Sequence, residues 1–427
     1  MIVSQKKYNQ VNQLFIVLIA CIIVFRNICT PILIIYFLFN FWHYKYINVE
    51  KKHINDIILI STPFFINLFF FFTNDSFSGI TKSVEKVLTL AIFPLLILTN
   101  PNFNIKFILD KYRIWFSIIL FLTLLRFILI YPEKIIKYLN GIDLIEVGYQ
   151  YAISLGTHAP ALNMHVAFLT VVNFYFLING LISRISKSIV KNIVLFLLSF
   201  ILILIINTRL ALLNVVVCLL VVLVRELSQR FSLKKIVIAL IFGLIFLVTT
   251  LGLYVKINPY MKEKYSSATF AHIDKVGKLD EIKSPEKVVF NALVTRVSIW
   301  KSASELALDN LVIGVGASDS KNELNHYFEK TNQHFLAKYK FPVHNQFLDY
   351  TIKFGILGFV VCTLYLFYPF YKQKSLPKYS TLFICFGIIF FTSNLVDDFL
   401  LRFDGIVFSG LFYTLFSSIS YTKNETR

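Results

Sequence analysis

The chain has 427 residues, 57% of them hydrophobic and 45 of them Phe, with a mean hydropathy of +0.69. A soluble domain of this length has no use for so many apolar residues, so the solvent for most of the chain is a lipid bilayer. The net charge of +18 would point to nucleic acid in a soluble protein; in a membrane protein it marks Lys and Arg gathered in cytoplasmic loops, and nucleic acid is not an expected partner.

Only helices and closed barrels span a bilayer. The apolar runs are helix-length rather than alternating ten-residue segments, so the expected fold is an all-α, polytopic membrane helical bundle. Cys21, Cys29, Cys218, Cys362 and Cys385 fall in or beside apolar runs. They read as small buried hydrophobes, not as a disulfide framework or a zinc site. No small-residue cleavage site follows the first apolar run, so no cleavable signal is expected.

About twelve spans are predicted. Lys6 and Lys7 precede two short ones, roughly 12–25 and 28–42, broken at Arg26 and Asn27. A loop with Lys45, Lys51 and Lys52 leads to a third, about 54–73, ending at Asn74-Asp75. The fourth (about 82–99) is followed by Lys106, Lys111 and Arg113, and the fifth (about 114–131) by a polar loop over 132–162. The sixth (about 163–182) precedes Arg184, Lys187 and Lys191. The seventh (about 192–206) breaks at Asn207-Thr208-Arg209, and the eighth (about 210–224) precedes Arg225, Arg230, Lys234 and Lys235. The ninth (about 236–255) opens a large polar segment, about 256–343. The tenth (about 345–369) is followed by Lys372, Lys374 and Lys378, and the eleventh (about 380–396) by Asp397-Asp398. The twelfth is about 403–420, with a short polar tail.

The basic loops follow the even-numbered spans, which puts both termini in the cytoplasm and the large segment, the 132–162 loop, the Arg209 break and Asp397-Asp398 on the opposite face. The chain then divides into spans 1–9 over 1–255, a large outer loop over 256–344 and spans 10–12 over 345–427.

Residues with chemistry cluster on that outer face. His344 stands where the large polar segment ends and an apolar helix begins. An imidazole there suits proton transfer from a hydroxyl, or simple interfacial polarity. In the large segment, Ser284 suits a helix cap and Pro285 a first turn. Val289, Leu293, Trp300 and Ala303 recur at helical spacing, with Arg296 on the same apolar face. A guanidinium there needs a partner: a phosphate, an acidic neighbour, or water reached by snorkelling. Asn207 is placed to cap the helix that Arg209 opens, so free amides and a guanidinium point outward together. The alternative for Arg209 is an interfacial anchor. Gly314-Val315-Gly316 is a turn signal, weak as a phosphate loop without its Lys and Ser/Thr. Asp397 and Asp398 could orient a base, bind a metal or be solvated, and solvated is the expected reading; His158 and His165, seven apart across Pro160, are not expected to be a metal pair. Gly355 and Gly358 are read on one helix face as small packing residues. Cations beside lipid and a base suit glycosyl transfer from a lipid-linked diphosphate.

The residues His344-Asn345, then 346–354, Gly355, Ile356-Leu357 and Gly358 match the signature of a known family. That signature is His, then Asn, Ser or Gln, nine residues, Gly, two residues, then Gly, Thr or Tyr. Thr208-Arg209-Leu210-Ala211 is similar to the family's Ser/Thr-Arg-x-Ala motif. Thr295-Arg296, then Trp300, then Ile313-Gly314-Val315-Gly316 resembles its Arg-x-x-x-Trp and Gly-x-Gly run. On these residues the chain resembles the O-antigen ligase and polymerase superfamily of bacterial envelopes, over about 200–420; residues 1–150 match only in hydrophobicity. The resemblance implies a GT-C-like inner-membrane glycosyltransferase, without metal or cofactor, using undecaprenyl-diphosphate-linked glycans on the periplasmic face. It assigns Arg209 and Arg296 to the diphosphate and His344 to the base, and leaves Asn345, Gly355 and Gly358 as structural signature residues.

The family's activities differ in acceptor: lipid A-core for a ligase, another lipid-linked repeat for a polymerase, a protein hydroxyl for an oligosaccharyltransferase. The reading favours ligase, with polymerase next. A flippase would show two related halves and polar residues at mid-membrane, whereas here the polar candidates gather at one face. A structural scaffold would not need arginines on apolar faces. An outer loop that closes as a lid would suit a transfer that must exclude water.

Overall fold

The computed structural model describes residues 4–74, 76–100, 103–140, 146–183, 186–257, 270–290 and 292–421. Asp75, Arg184, part of the large polar segment and the 422–427 tail lie outside these residues. All described elements are helical. In chain order they are α1 (Gln5–Ile22), α2 (Arg26–Trp42), α3 (Lys51–Ile60), α4 (Thr62–Phe69), α5 (Phe77–Phe93), α6 (Ile105–Ile130), α7 (Pro132–Leu139), α8 (Glu146–Ser154), α9 (Ala159–Ile182), α10 (Ser186–Ile206), α11 (Arg209–Ser228) and α12 (Leu233–Ile257). There follow α13 (Pro285–Val288), α14 (Leu293–Asp309), α15 (Ser320–Lys330), α16 (His334–Tyr339), α17 (Gln346–Lys372), α18 (Ser380–Val396) and α19 (Phe403–Ser418).

Among the described residues six helices are long and apolar enough to cross a membrane, by length and composition: α6, α9, α10, α11, α12 and α17; α2 and α18 are shorter apolar helices. Twelve spans were expected. The expected third span is built in two pieces, because Pro63 brings no amide for the carbonyl of Leu59. Thr62 Oγ1 donates to that carbonyl instead, at 2.8 Å. The expected fourth span ends in a wide π-turn over Pro94–Leu98. The fifth begins earlier than its apolar run. Arg113 is buried inside it, held by Asp110 at 2.6 Å and Asn192 at 2.9 Å, so a cation that looked like a loop residue is part of the helix.

α9 is the central post, buried along most of its length and packed against α6, α10, α11 and α18. α11 packs on α9 and α18, while α5 packs on α19 and α4. The large polar segment has a second core made by Leu279, Val289, Val294, Ile299, Leu324, Phe328 and Phe335, and Ile352 of α17 belongs to it.

α17 is not the continuous helix expected over 345–369. Gly355 has φ 62° and ψ −150°, outside helical space. The break is filled by the segment after α14. Val315 N donates to Ile352 O at 2.8 Å, Gly316 N to Lys353 O at 3.0 Å, and Ile356 N to Leu311 O at 2.7 Å. Gly355 and Gly358 therefore do not share an unbroken helix face. A Cβ on Gly355 would meet the Leu311 and Val312 backbone, and one on Gly358 would meet the Tyr350 carbonyl. The Gly314–Gly316 turn is accordingly a docking element rather than a phosphate loop; a Cβ on Gly314 would strike the Lys353 and Phe354 backbone. These bonds pin the α14–α16 layer to α17, an arrangement unlike a freely hinged lid.

Candidate active site

The backbone around His344 is held from three sides. Asn345 caps α17, its Oδ1 accepting from Leu348 N at 3.1 Å, while its Nδ2 donates to Leu395 O at 3.1 Å. Trp300 Nε1 on α14 donates to His344 O at 3.2 Å. Buried Gln346 accepts from Leu400 N at 2.8 Å. His344 itself has φ 53°, a left-handed turn that aims its ring across the bundle toward the end of α18. There His344 Nδ1 lies 3.2 Å from Asp397 Oδ1.

The expectation that Asp397 and Asp398 are solvated is overturned: they are 7% and 3% exposed. They sit at the C-terminus of α18, where the helix dipole disfavours anions, so cations must compensate. His158 Nε2, from the residue before α9, is 3.5 Å from Asp397 Oδ2. Arg402 Nη2 is 3.4 Å from Asp397 Oδ1 and 3.8 Å from Asp398 Oδ1. Burial alone would raise Asp397. The His158 and His344 imidazoles and the Arg402 guanidinium reverse this and hold its carboxyl well below the usual carboxylate range. Asp398 moves the other way, pushed up to about 8 by burial and by the charge on Asp397.

A buried acid with a raised folded-state pKa binds its proton more tightly folded than unfolded, so its part of the stability falls as pH rises from ~4 to its folded value. Asp398→Asn keeps the neutral shape and removes that slope. Melting temperatures at pH 6, 7 and 8 are expected to show the variant gaining on wild type as pH rises. Parallel curves would mean that Asp398 is ionised in the folded protein.

The two arginines stand differently from expectation. Arg296 lies on α14, but this helix begins at Leu293 and buries Val294, Thr295, Ser298, Ile299 and Ser302. Val289 falls before it, so the apolar face is rotated and Arg296 is half-buried beside that face. Ser284 has φ 55° and caps nothing with its side chain. Trp300, one turn after Arg296, is the residue that touches His344. Arg209 opens α11 and is exposed. Thr208, not Asn207, is the N-cap residue; Asn207 is in a left-handed conformation, and Asn163 of α9 donates to Thr208 Oγ1 at 2.8 Å.

Tyr149 on α8 lies within electrostatic reach of both Arg296 and Asp397: burial pushes its phenol up, Arg296 offsets part of this and Asp397 adds to it. Beside it Gly148 presses on the Ile205 and Ile206 backbone, at the end of α10 that turns into Arg209. α8, the α10–α11 corner, α14, the start of α17 and the α18–α19 turn thus meet at one end of the bundle. His165 does not join them; it is fully buried within α9, its ring 4.2 Å from that of Phe408.

Sequence reasoning missed His158 and Arg402 as companions of His344, and it weighed Asp397 as a group that orients a base but favoured a solvated carboxylate. The acidic pair after an apolar helix was the one visible signal, and nothing local indicated that it is buried.

Residues 194–363 match the family model described as O-Antigen ligase. The match covers less than half of the chain and takes in Arg209, Arg296, His344, Asn345, Gly355 and Gly358. No curated protein matches the chain.

Proposed function

We propose, from the match of residues 194–363 to the O-antigen ligase family model, that the chain belongs to that family and that this multi-pass membrane protein is a glycosyltransferase. It moves a glycan from undecaprenyl diphosphate to an acceptor hydroxyl, lipid A-core in the ligase reading. The observation that carries the reading is the contact between His344 Nδ1 and Asp397 at the mouth of α17.

With the proton on Nδ1 donated to Asp397, Nε2 of His344 keeps its lone pair for the acceptor. The acceptor oxygen attacks the anomeric carbon and its proton passes to Nε2. The bond from that carbon to the diphosphate oxygen breaks, and its electron pair leaves on the diphosphate. Arg209 and Arg296 neutralise that developing charge. Asp397 stabilises the imidazolium, and Arg402 and His158 keep Asp397 ionised. Asp397 is a positioning residue in this scheme. The alternation of basic loops supports a periplasmic site and cytoplasmic termini in an inner-membrane protein. The chain parts as transmembrane 1–255, a periplasmic 256–344 and transmembrane 345–427.

A metal-assisted reading has one observation behind it: His344, Asp397 and Asp398 offer ligand atoms within 4.8 Å of one another. Arg402 already supplies the Asp397 carboxylate with a cation, and Asp398 is pushed toward its neutral form, which is a poor metal ligand. The metal-independent reading therefore expects transfer by the purified protein to be unchanged after EDTA. Loss of transfer that returns with Mg²⁺ or Mn²⁺ would overturn it.

The functional test is deletion and complementation, with envelope glycans on a gel and lipid-linked intermediates extracted. Long chains stranded on undecaprenyl carriers and absent from lipid A-core are expected for a ligase. Single repeats still attached to lipid A-core would make it a polymerase, the alternative activity. Unchanged lipid-linked and envelope glycans on deletion would sink both.

A further inference from the structure

A second group of cations lies where the starts of α2 and α19 approach α5. Arg26 opens α2 with its guanidinium carbon 5.8 Å from the centroid of the Phe403 ring, at the start of α19. Gly410 of α19 packs directly on Leu90 and Thr89 of α5. Lys86, one turn before Leu90, and Lys82, a turn before that, therefore stand beside the first turns of α19. Lys86 interacts electrostatically with Arg26, Lys82, Asp349 and Lys353. Asp349 is paired to Lys353 at 2.6 Å, both buried, and offsets only part of the charge on Lys86. Among the described residues Arg26, Lys82 and Lys86 have no carboxylate within ion-pair distance. Glu85 is the one acid among them in sequence.

All three cations are exposed, as are Ile28 on α2 and Phe77 and Leu88 on α5, so charged and apolar side chains share the exposed faces of these helices. Unpaired charges in such a place are expensive unless they meet an anion there. A lipid-borne phosphate is the anion that suits such a mixed face, and three cations against one carboxylate match a doubly charged group. The cluster is joined to the candidate active site through Asp349, which lies within electrostatic reach of Asp398 as well as of Lys86. Arg209 opens α11, which packs on α9 and α18.

We propose that Arg26, Lys82 and Lys86 bind the phosphate groups of the acceptor lipid, at a site separate from that of the donor diphosphate at Arg209 and Arg296. This rests on the glycosyltransferase reading above. Lipid A-core and an undecaprenyl-diphosphate-linked repeat both carry such phosphates, and the two are separated by the choice of acceptor.

The test uses the full chain in nanodiscs with donor held fixed and acceptor varied, for wild type, the Arg26→Gln/Lys86→Gln double variant, Lys82→Gln and the charge-keeping Arg26→Lys/Lys86→Arg variant. Loss of a charge-assisted phosphate contact is expected to raise the acceptor KM about tenfold or more in the double variant. The donor KM stays within about twofold, and the charge-keeping variant recovers most of the loss. An acceptor KM that moves less than about twofold, or a donor KM that rises with it, overturns the proposal. A second arm measures binding of each labelled acceptor in the His344→Ala background, where turnover is not needed. If phosphatidylglycerol competes as well as the acceptor lipid, the cluster is an ordinary headgroup anchor and the proposal falls. If wild type transfers nothing but the binding arm still depends on Arg26 and Lys86, the glycosyltransferase reading fails and the phosphate site stands. The acceptor whose affinity depends on the cluster identifies the source of the phosphate.

Discussion

His344→Ala is expected to leave a folded membrane protein that transfers glycan ~10²- to 10⁴-fold more slowly than wild type, the usual contribution of a positioned acid–base group. Among the described residues the imidazole makes one polar side-chain contact, to Asp397, while the backbone around it is held by Trp300, Asn345 and Gln346. Removing the ring leaves those backbone bonds in place but takes one donor from buried Asp397, which keeps His158 and Arg402, so a loss of about 1–3 kcal/mol is expected. The readout is the rate of transfer in purified protein together with its melting temperature. A slow enzyme that still melts cooperatively, only a few degrees lower, supports the base. Full complementation by His344→Ala would remove His344 from the chemistry and reopen the flippase reading. His344→Gln, which keeps hydrogen-bonding capacity but cannot take a proton at neutral pH, should be as slow as the alanine variant.

The second large effect falls on folding. Gly355→Ala puts a Cβ into the Leu311 and Val312 backbone at a position with φ 62° and ψ −150°, a region nearly closed to other residues. Strain and overpacking together are expected to cost about 3 kcal/mol or more. The damage should concentrate in the seam between α17 and the 311–316 segment, where Val315, Gly316 and Ile356 make their backbone bonds. Limited proteolysis should therefore cut that segment faster in the variant, and transfer should fall because Trp300 and His344 lose register. A variant as protease-resistant as wild type would mean that the helix break is unimportant for holding the layer in place. A Gly358→Ala comparison adds a second point, since its Cβ would meet the Tyr350 carbonyl rather than the 311–316 segment.

The difference between Gly355 and a packing glycine was not legible in the sequence. The spacing from His344 to Gly355 is local and visible, but its meaning depends on the Leu311–Gly316 stretch, which precedes it by some forty residues and fills the break. Arg296 shows the same limit in another way. Its helix was anticipated, yet the start was drawn too early, and a start displaced by a turn rotates the face on which the guanidinium lies.

Some features follow from the order of residues alone. Long apolar runs have no stable home but a bilayer, and within a bilayer the backbone must be helical. The Arg209 corner and the His344 boundary follow from where polar residues interrupt those runs. Tertiary structure alone decided the rest. Asp397, His158 and Arg402 come from distant elements, and only packing around α9 brings them to one carboxylate. Burial is a property of the assembled bundle. The same two aspartates in water would be ordinary anions; taken out of water together, one is held charged by its cations and the other is pushed toward its neutral form.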